Sequence, residues 1–163
     1  MAVSELPAAV ARVAAHLVAA GAEARIEQLS SSCATAQEAA EAIGCTISQI
    51  VKSMVVVCDE RAAVALVPGH LRVDPGRVAR SVGASKGRVA RAEEVLRLTG
   101  FAPGTVAPFA HGVGHVLIDQ RLLAQPIVWA GAGSDVHMIA LAPRELVRLT
   151  NGMTASIGAT PSS

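Results

Sequence analysis

A nine-residue stretch at positions 50–58 dominates the pattern of hydrophobic and polar residues. It reads Ile-Val-Lys-Ser-Met-Val-Val-Val-Cys, and only the lysine is neither apolar nor small. Such a run of β-branched and apolar residues predicts a central strand buried on both faces. Lys52 is then either a strand-end residue whose ammonium reaches water, or a charge directed into a pocket.

Before this strand, the periodicity predicts two helices and a strand, over 4–20, 35–43 and 24–29 respectively. Ser4 is a possible cap of the first helix, which Gly21 ends. Thr35 opens the second helix, and Glu38 three residues later completes a capping box. Both helices therefore carry their own start signals.

After the strand, residues 62–67 are predicted to form a hairpin with it through the polar turn at 59–61. Further helices are expected over 74–82, with Asp74-Pro75 as its cap, over 91–98 and over 143–149. Further strands are expected over 113–118, 127–130, 136–141 and 153–157. Because strands come in adjacent pairs without βαβ alternation, we expect an α+β fold with a mixed, partly closed barrel-like sheet surrounded by helices. One domain over 1–157 and a disordered tail over 158–163 are expected.

Composition and charge exclude some partners. Aromatic residues make up 2% of the chain, too few for the stacking platforms of single-stranded nucleic-acid binders. The net charge is +1, so no global field attracts polyanions. Seven of the fourteen basic residues nevertheless lie within 72–97, beside three acidic ones. This region is either a phosphate-binding patch or a solvated helical face.

The three cysteines are odd in number and lack metal-ligand spacing. We find no signal peptide and no apolar run of ~18 residues, so a cytoplasmic location without membrane contact is expected. Gly112 and Gly114 argue against a helix that would present His111 and His115 together, and no metal is expected. The roles of His111, His115 and His137 stay open.

Two glycine-rich segments are candidate ligand-binding elements. Residues 99–109 combine two Gly, two Pro and both Phe, which predicts an ordered loop that lines something. Residues 131–134 read Gly-Ala-Gly-Ser. They either let backbone N–H groups approach a ligand closely or form a hairpin turn at 133–134. No local signature of a Ser–His or Cys–His nucleophile accompanies them.

These segments together resemble the YbaK/ProX family of bacterial aminoacyl-tRNA deacylases, which is related to the editing domain of prolyl-tRNA synthetase. The similarity runs in order over roughly residues 25–150. It rests on the following stretches: Ala-Ile-Gly at 42–44, Ile-Val-Lys-Ser-Met-Val-Val at 50–56, Ala-Leu-Val-Pro-Gly at 65–69, Thr-Gly-Phe-Ala-Pro-Gly-Thr-Val-Ala-Pro at 99–108, Val-Trp-Ala-Gly-Ala-Gly-Ser at 128–134 and Leu-Ala-Pro-Arg-Glu-Leu at 141–146.

The resemblance implies a metal-independent, cofactor-free trans-editing hydrolase that removes the amino acid from mischarged tRNA, Cys- or Ala-tRNA(Pro) above all. Its partners would be the tRNA acceptor end and prolyl-tRNA synthetase. The alternative is a non-catalytic module that binds aminoacyl-tRNA or a nucleotide in the same pocket. Catalytic roles are implied for Lys52, Gly104 and Gly131. The implied substrate-binding residues are Ser53, Thr105, Val106, Pro108, Ala132, Gly133 and Ser134.

This chain also departs from the family pattern. Gly104-Thr105 stands where paired glycines are usual, Ala110 replaces a later glycine, and the second segment reads Gly-Ala-Gly-Ser. These differences leave the deacylase class standing and the amino-acid specificity open.

Overall fold

The computed structural model describes residues 6–161. Within them the helices are α1 (Ala8–Ala19), α2 (Ala36–Ile43), α3 (Pro75–Ser81), α4 (Ala92–Thr99) and α5 (Pro143–Thr150). The strands are β1 (Ala24–Gln28), β2 (Ile50–Cys58), β3 (Arg61–Pro68), β4 (Arg72–Val73), β5 (Gly87–Val89), β6 (His115–Asp119), β7 (Val128–Ser134), β8 (His137–Leu141), β9 (Met153–Ala155) and β10 (Gly158–Ala159). Short 3₁₀-helices precede β2 and follow β6, at Ile47–Gln49 and Gln120–Ala124.

Strand β2 is the centre of the sheet, and its bounds match the predicted strand at 50–58. It forms an antiparallel hairpin with β3 over eight residue pairs. Asp59 and Glu60 alone make the turn, because Arg61 already pairs with Cys58. The predicted hairpin is therefore confirmed, with a turn one residue shorter than expected.

The main sheet has the strand order β1-β8-β7-β2-β3-β6-β9. The pairs β2–β7, β3–β6 and β6–β9 are parallel, and the other neighbours in this order are antiparallel. The sheet curls into half a barrel with the helices around it. This arrangement confirms the predicted α+β class with a mixed, partly closed sheet.

One edge of β2 is shared by two strands. Strand β7 pairs with Ile50 and Val51, whereas β5 pairs with residues 56–58 farther along. No strand within residues 6–161 pairs with this edge between them. Strand β5 is held in place by α3, since a Cβ on Gly87 would lie 2.2 Å from the Pro75 carbonyl oxygen. The sheet therefore opens between β7 and β5.

Apolar side chains bury both faces of the sheet. On one face, α1 and the loop between α4 and β6 cover a cluster that includes Val13, Val51, Phe101 and Phe109. On the other face, α3 covers one cluster and α2 covers another, which contains Trp129. Phe101 is 1% exposed and Phe109 is 3% exposed, so the loop that carries them is ordered, as predicted.

Helix termini follow the local signals of the sequence. The Thr35 hydroxyl accepts a hydrogen bond from the Glu38 N–H at 3.1 Å, which is the first half of the predicted capping box. The second half is not formed, because the Glu38 carboxylate accepts the Thr35 hydroxyl at 3.1 Å instead of the Thr35 N–H. Asp74 caps α3 in the same way through the Arg77 N–H at 3.2 Å. None of the helices in residues 6–161 has both the length and the apolar character needed to cross a membrane.

The structure also corrects several expectations. Strands β4, β5 and β10 were not predicted. Gly158 and Ala159 pair with β4, so the disorder expected from residue 158 is wrong for these two residues. Their order comes from the buried carboxylate of Asp119, which accepts the Gly158 N–H at 2.7 Å. The predicted cap Ser4 lies outside the described residues.

Candidate active site

A cavity of about 680 Å³ lies where the sheet opens between β7 and β5. This volume is typical of a small-molecule site. Its walls come mainly from five parts of the chain: residues 33–37 and 39 at the start of α2, residues 50–55 of β2, residues 89, 90, 92 and 95 around the start of α4, residues 103, 104 and 106 of the loop, and residues 131, 134, 135, 137 and 138 of the β7–β8 hairpin. Ile47 and Gly69 complete the lining. Most of the lining surface is apolar, with a few polar groups that converge on it.

The unpaired edge of β2 presents Ser53 to this cavity. The Ile50 carbonyl accepts the Gly69 N–H on the β3 side, and the Val55 carbonyl accepts the Ala90 N–H on the β5 side. Because backbone groups alternate along an antiparallel strand, the N–H and C=O of Ser53 point toward the opening. Its Oγ is buried and has no hydrogen-bond partner among residues 6–161. Ser53 thus offers unsatisfied polar groups to a ligand.

Lys52 also lines the cavity and is half-buried. Its ammonium donates a hydrogen bond to the Leu71 carbonyl oxygen. Burial lowers the pKa of Lys52, and the charge of Arg72 lowers it further. Within residues 6–161 no carboxylate lies within 4.0 Å of this ammonium. A lysine held by a carbonyl, with no neutralising carboxylate, is suited to bind an anion.

The two glycine-rich segments contact each other at the cavity wall. The Gly133 N–H donates to the Thr105 carbonyl oxygen at 3.1 Å. A Cβ on Gly131 would lie 3.4 Å from the Val106 carbonyl oxygen, so the segments approach closely at this glycine. Gly104 has a φ of 81°, a conformation that favours glycine. The wall therefore consists largely of backbone.

Six of the ten predicted site residues line the cavity together. They are Lys52, Ser53, Gly104, Val106, Gly131 and Ser134. They come from β2, the loop and β7, which lie far apart in the chain. The spacing of these residues in the sequence does not show that they lie close together. The topology of the sheet brings them to the same cavity.

The other four predicted residues, Thr105, Pro108, Ala132 and Gly133, do not line the cavity. Thr105 turns its hydroxyl to the Ala102 carbonyl oxygen at 2.7 Å. Pro108 and Ala132 are buried. Gly133 faces α1, where a Cβ would lie 3.0 Å from the Ala9 carbonyl carbon. These positions support the wall from behind. Gly131–Ser134 also belong to β7 instead of a hairpin turn, which lies at 135–136.

His137, whose role stays open in the sequence, lines the cavity. It is 4% exposed, and its Nδ1 lies 2.7 Å from the Ser134 Oγ. That oxygen also accepts the Val136 N–H at 3.1 Å. The Nε2 of His137 is buried and has no partner within residues 6–161. The sequence contained a signal for the contact between Ser134 and His137, since these two residues flank a two-residue hairpin turn.

His111 has a structural environment. Its Nε2 lies 2.9 Å from the Pro108 carbonyl oxygen, and its Nδ1 accepts the Val113 N–H at 3.0 Å. This pattern fixes the neutral ring with its proton on Nε2. Burial lowers the pKa of His111. His115 is exposed at the start of β6.

The basic region at 72–97 is partly neutralised by its own acids. Arg88 forms a bidentate pair with the buried carboxylate of Glu94, at 2.7 and 2.9 Å. Hydrogen bonding from Arg88 holds the pKa of Glu94 at about 2. Arg77, Arg91 and Arg97 also pair with acids of the region. Only Arg72, Arg80 and Lys86 have no carboxylate within 4.0 Å among residues 6–161.

Among residues 6–161, no group of three or more His, Cys, Asp or Glu side chains is placed to hold a metal ion.

Comparisons with known proteins relate this arrangement to a family. The model of the aminoacyl-tRNA editing domain matches residues 30–149. The uncharacterised protein YwhH of Bacillus subtilis is 32% identical over 125 residues, covering 74% of this chain and 78% of YwhH. EbsC of Enterococcus faecalis, a candidate Cys-tRNA(Pro)/Cys-tRNA(Cys) deacylase, is 26% identical over 125 residues, covering 76% of each chain.

A longer relative and a solved structure extend the comparison. A proline–tRNA ligase of Shouchella clausii is 28% identical over 110 residues, and the match spans 67% of this chain and 19% of the ligase. The crystal structure of a candidate trans-editing enzyme for prolyl-tRNA synthetase superposes with a TM-score of 0.88 at 38% identity. That superposition covers 95% of this chain and 99% of the other. The chain therefore belongs to the aminoacyl-tRNA editing domain family, which confirms its resemblance to the YbaK/ProX deacylases.

Proposed function

We propose that this chain is a trans-editing hydrolase that deacylates mischarged aminoacyl-tRNA, with Cys-tRNA(Pro) or Ala-tRNA(Pro) as the substrate. The observation that carries the proposal is the cavity at the opening of the sheet, where Lys52 meets both glycine-rich segments. The names of two relatives point to the same chemistry, since one concerns Cys-tRNA(Pro) and Cys-tRNA(Cys), and the other prolyl-tRNA synthetase.

In this proposal the terminal adenosine of the tRNA enters the cavity with its amino acid. The Lys52 ammonium, which pairs with no carboxylate in the described part of the chain, binds the phosphate of that nucleotide. A water molecule attacks the ester carbonyl carbon, and the bond to the ribose oxygen breaks. That oxygen takes up a proton, and the free amino acid leaves. Backbone N–H groups of the glycine-rich segments and of Ser53 stabilise the developing oxyanion.

No Ser–His–Asp triad is needed for such a step, because the cavity positions the ester and a water molecule against fixed dipoles. The Nε2 of His137 is buried, so it is not assigned a contact with the water or the ribose. Small side chains fit the apolar wall, and an apolar pocket separates substrates that differ by one methylene by only about 1–3 kcal/mol. Cysteine and alanine therefore both stay candidates.

The test is deacylation of tRNA(Pro) charged with Cys, Ala, Ser or Pro. We expect hydrolysis of one mischarged species, with prolyl-tRNA spared. Lys52→Ala should lower kcat/KM about 10- to 100-fold, since a hydrogen bond to a charged group contributes about 1.5–3 kcal/mol. Arg144→Ala is the control, because Arg144 is an exposed cation that lies outside both the cavity and the basic region at 72–97; its rate should equal that of the parent.

Two outcomes would contradict this assignment. Parental rates in Lys52→Ala would remove the role of Lys52. A folded parent that hydrolyses no member of the panel would favour another tRNA or the non-catalytic binding module. Association with prolyl-tRNA synthetase, the cytoplasmic location, the single-domain organisation and metal independence stay predictions.

A further inference from the structure

The cavity is bipolar. Of its lining residues, Lys52 carries a positive charge and Asp135 carries the sole carboxylate. The two come from different elements, since Lys52 lies on β2 and Asp135 lies in the turn between β7 and β8. A cavity with one charge of each sign fits a ligand that itself carries one anion and one cation. The aminoacylated end of a tRNA has both, as a phosphate and an α-ammonium.

Backbone hydrogen bonds fix the position of Asp135. Its carbonyl oxygen accepts the Cys33 N–H at 3.0 Å, and the carbonyl of the next residue, Val136, accepts the Leu29 N–H at 2.6 Å. The turn is thereby tied to the segment that leads into α2. Asp135 is therefore held at the cavity wall by contacts that do not use its carboxylate.

The turn itself does not need the aspartate side chain. An Asp in a turn usually accepts a nearby backbone N–H. Here the Ser134 hydroxyl accepts the Val136 N–H at 3.1 Å and takes that role. Within residues 6–161, no basic side chain lies within 4.0 Å of the Asp135 carboxylate. The carboxylate is thus left with no partner in the described chain.

Asp135 lines the cavity together with Cys33, and it is exposed. The charge of Asp135 also reaches Cys33, since the pKa of that thiol is raised first by burial and then by the charges of Glu38 and Asp135. An exposed carboxylate with no partner in the described chain is accessible to the ammonium of a bound ligand, and the resulting ion pair is partly screened by solvent.

We propose that Asp135 binds the α-ammonium of the aminoacyl group and so restricts the enzyme to substrates with a free amino terminus. This inference rests on the proposed function and adds to it a substrate class. Aminoacyl-tRNA whose nitrogen is acylated carries no ammonium, and it forms no ion pair with the Asp135 carboxylate. Such N-acylated species are poor substrates.

The experiment compares the mischarged tRNA that the parent hydrolyses with the same tRNA after N-acetylation of its amino acid. The full chain and its Asp135→Asn variant are assayed on both. We expect the parent to prefer the free amine about two- to fivefold, as the strength of an exposed ion pair implies. Asp135→Asn should lose about two- to fivefold in kcat/KM on the free amine and change little on the acetylated form.

Two further variants make the result specific. Asp135→Glu keeps a carboxylate and should keep the preference for the free amine. Glu60→Gln removes an exposed carboxylate in the β2–β3 turn, outside the cavity, and should match the parent on both substrates. Urea unfolding of each variant confirms that it is folded.

The outcomes separate the inference from the function on which it rests. Equal losses on both substrates in Asp135→Asn would overturn the inference and leave the deacylase intact. Equal parental rates on free and acetylated substrates would do the same. A parent that hydrolyses no aminoacyl-tRNA would overturn both.

Discussion

Gly133→Ala should destabilise the fold, although the resemblance placed Gly133 among the substrate-binding residues. Gly133 has a φ of 103° and faces α1 instead of the cavity. An added Cβ would lie 3.0 Å from the carbonyl carbon of Ala9 and 3.1 Å from its oxygen. These atoms are helix backbone, so they can yield only if α1 moves away from β7.

The magnitude has two parts. Holding a non-glycine residue in a sparsely populated backbone conformation costs about 1–3 kcal/mol. Forcing an extra carbon into a close-packed contact costs about 1–3 kcal/mol more. Together they predict that Gly133→Ala lowers the free energy of unfolding by about 2–6 kcal/mol, which is a large share of a typical stability of about 5–15 kcal/mol.

Gly104→Ala is the matched comparison. Gly104 has a φ of 81°, but no atom lies within 4 Å of the position that its Cβ would take. Only the backbone penalty applies, and we expect a loss of about 1–2 kcal/mol. Gly104 lines the cavity, so this variant should affect deacylation more than stability.

The assay is urea unfolding followed by the fluorescence of Trp129, the single tryptophan of the chain. Trp129 is buried in the cluster beneath α2, so its emission reports the loss of tertiary structure. A cost of Gly133→Ala no larger than that of Gly104→Ala would refute the packing argument and return Gly133 to the list of candidate site residues.

Three further predictions address pH, capping and salt. Burial lowers the pKa of His111, so as the pH drops below about 6.5 the unfolded chain binds a proton at this residue before the folded chain does, and stability should fall. His111→Gln should flatten the dependence of the urea midpoint on pH. An unchanged dependence in this variant would contradict the assignment. Thr35→Ala should cost about 1 kcal/mol of unfolding free energy by removing the cap of α2, whereas the neighbouring exposed Gln37→Ala should not. If Arg80 contacts phosphates, kcat/KM should fall with added salt, and Arg80→Ala should reduce the log–log slope by about 1; a flat response of the parent would identify a solvated face.

The sequence predicted best where a signal and its effect are local. The cap at Thr35, the cap at Asp74 and the apolar run of β2 each need only a few neighbouring residues, and all three appear as predicted. The missed strands β4, β5 and β10 are two or three residues long. Each exists only because a partner distant in the chain offers a free edge, which no local periodicity encodes.

The residues of the cavity also include some that local sequence signals predicted and others that only the tertiary structure shows. Lys52 stood out because a lysine interrupts a buried strand, and Gly104 stood out because of its loop composition. In contrast, the burial of His137 depends on tertiary packing around the β7–β8 hairpin, between α1 and the cavity. The open edge at Ser53 depends on where β5 and β7 end. The two glycines Gly131 and Gly133 are only two residues apart, and motif spacing could not distinguish their roles. Gly131 lines the cavity, whereas Gly133 packs against α1.

The contact between Gly87 and Pro75 has a consequence for how specificity can change. Strand β5 forms one side of the cavity entrance. Its position is set by its contact with the first turn of α3, a helix that does not line the cavity. A substitution that shifts α3 along the sheet would widen or narrow the entrance while every lining residue stays the same. Two homologues with identical cavity walls could then prefer amino acids of different size. Substrate preference then depends on the helices that position the cavity entrance as well as on the residues that line the cavity.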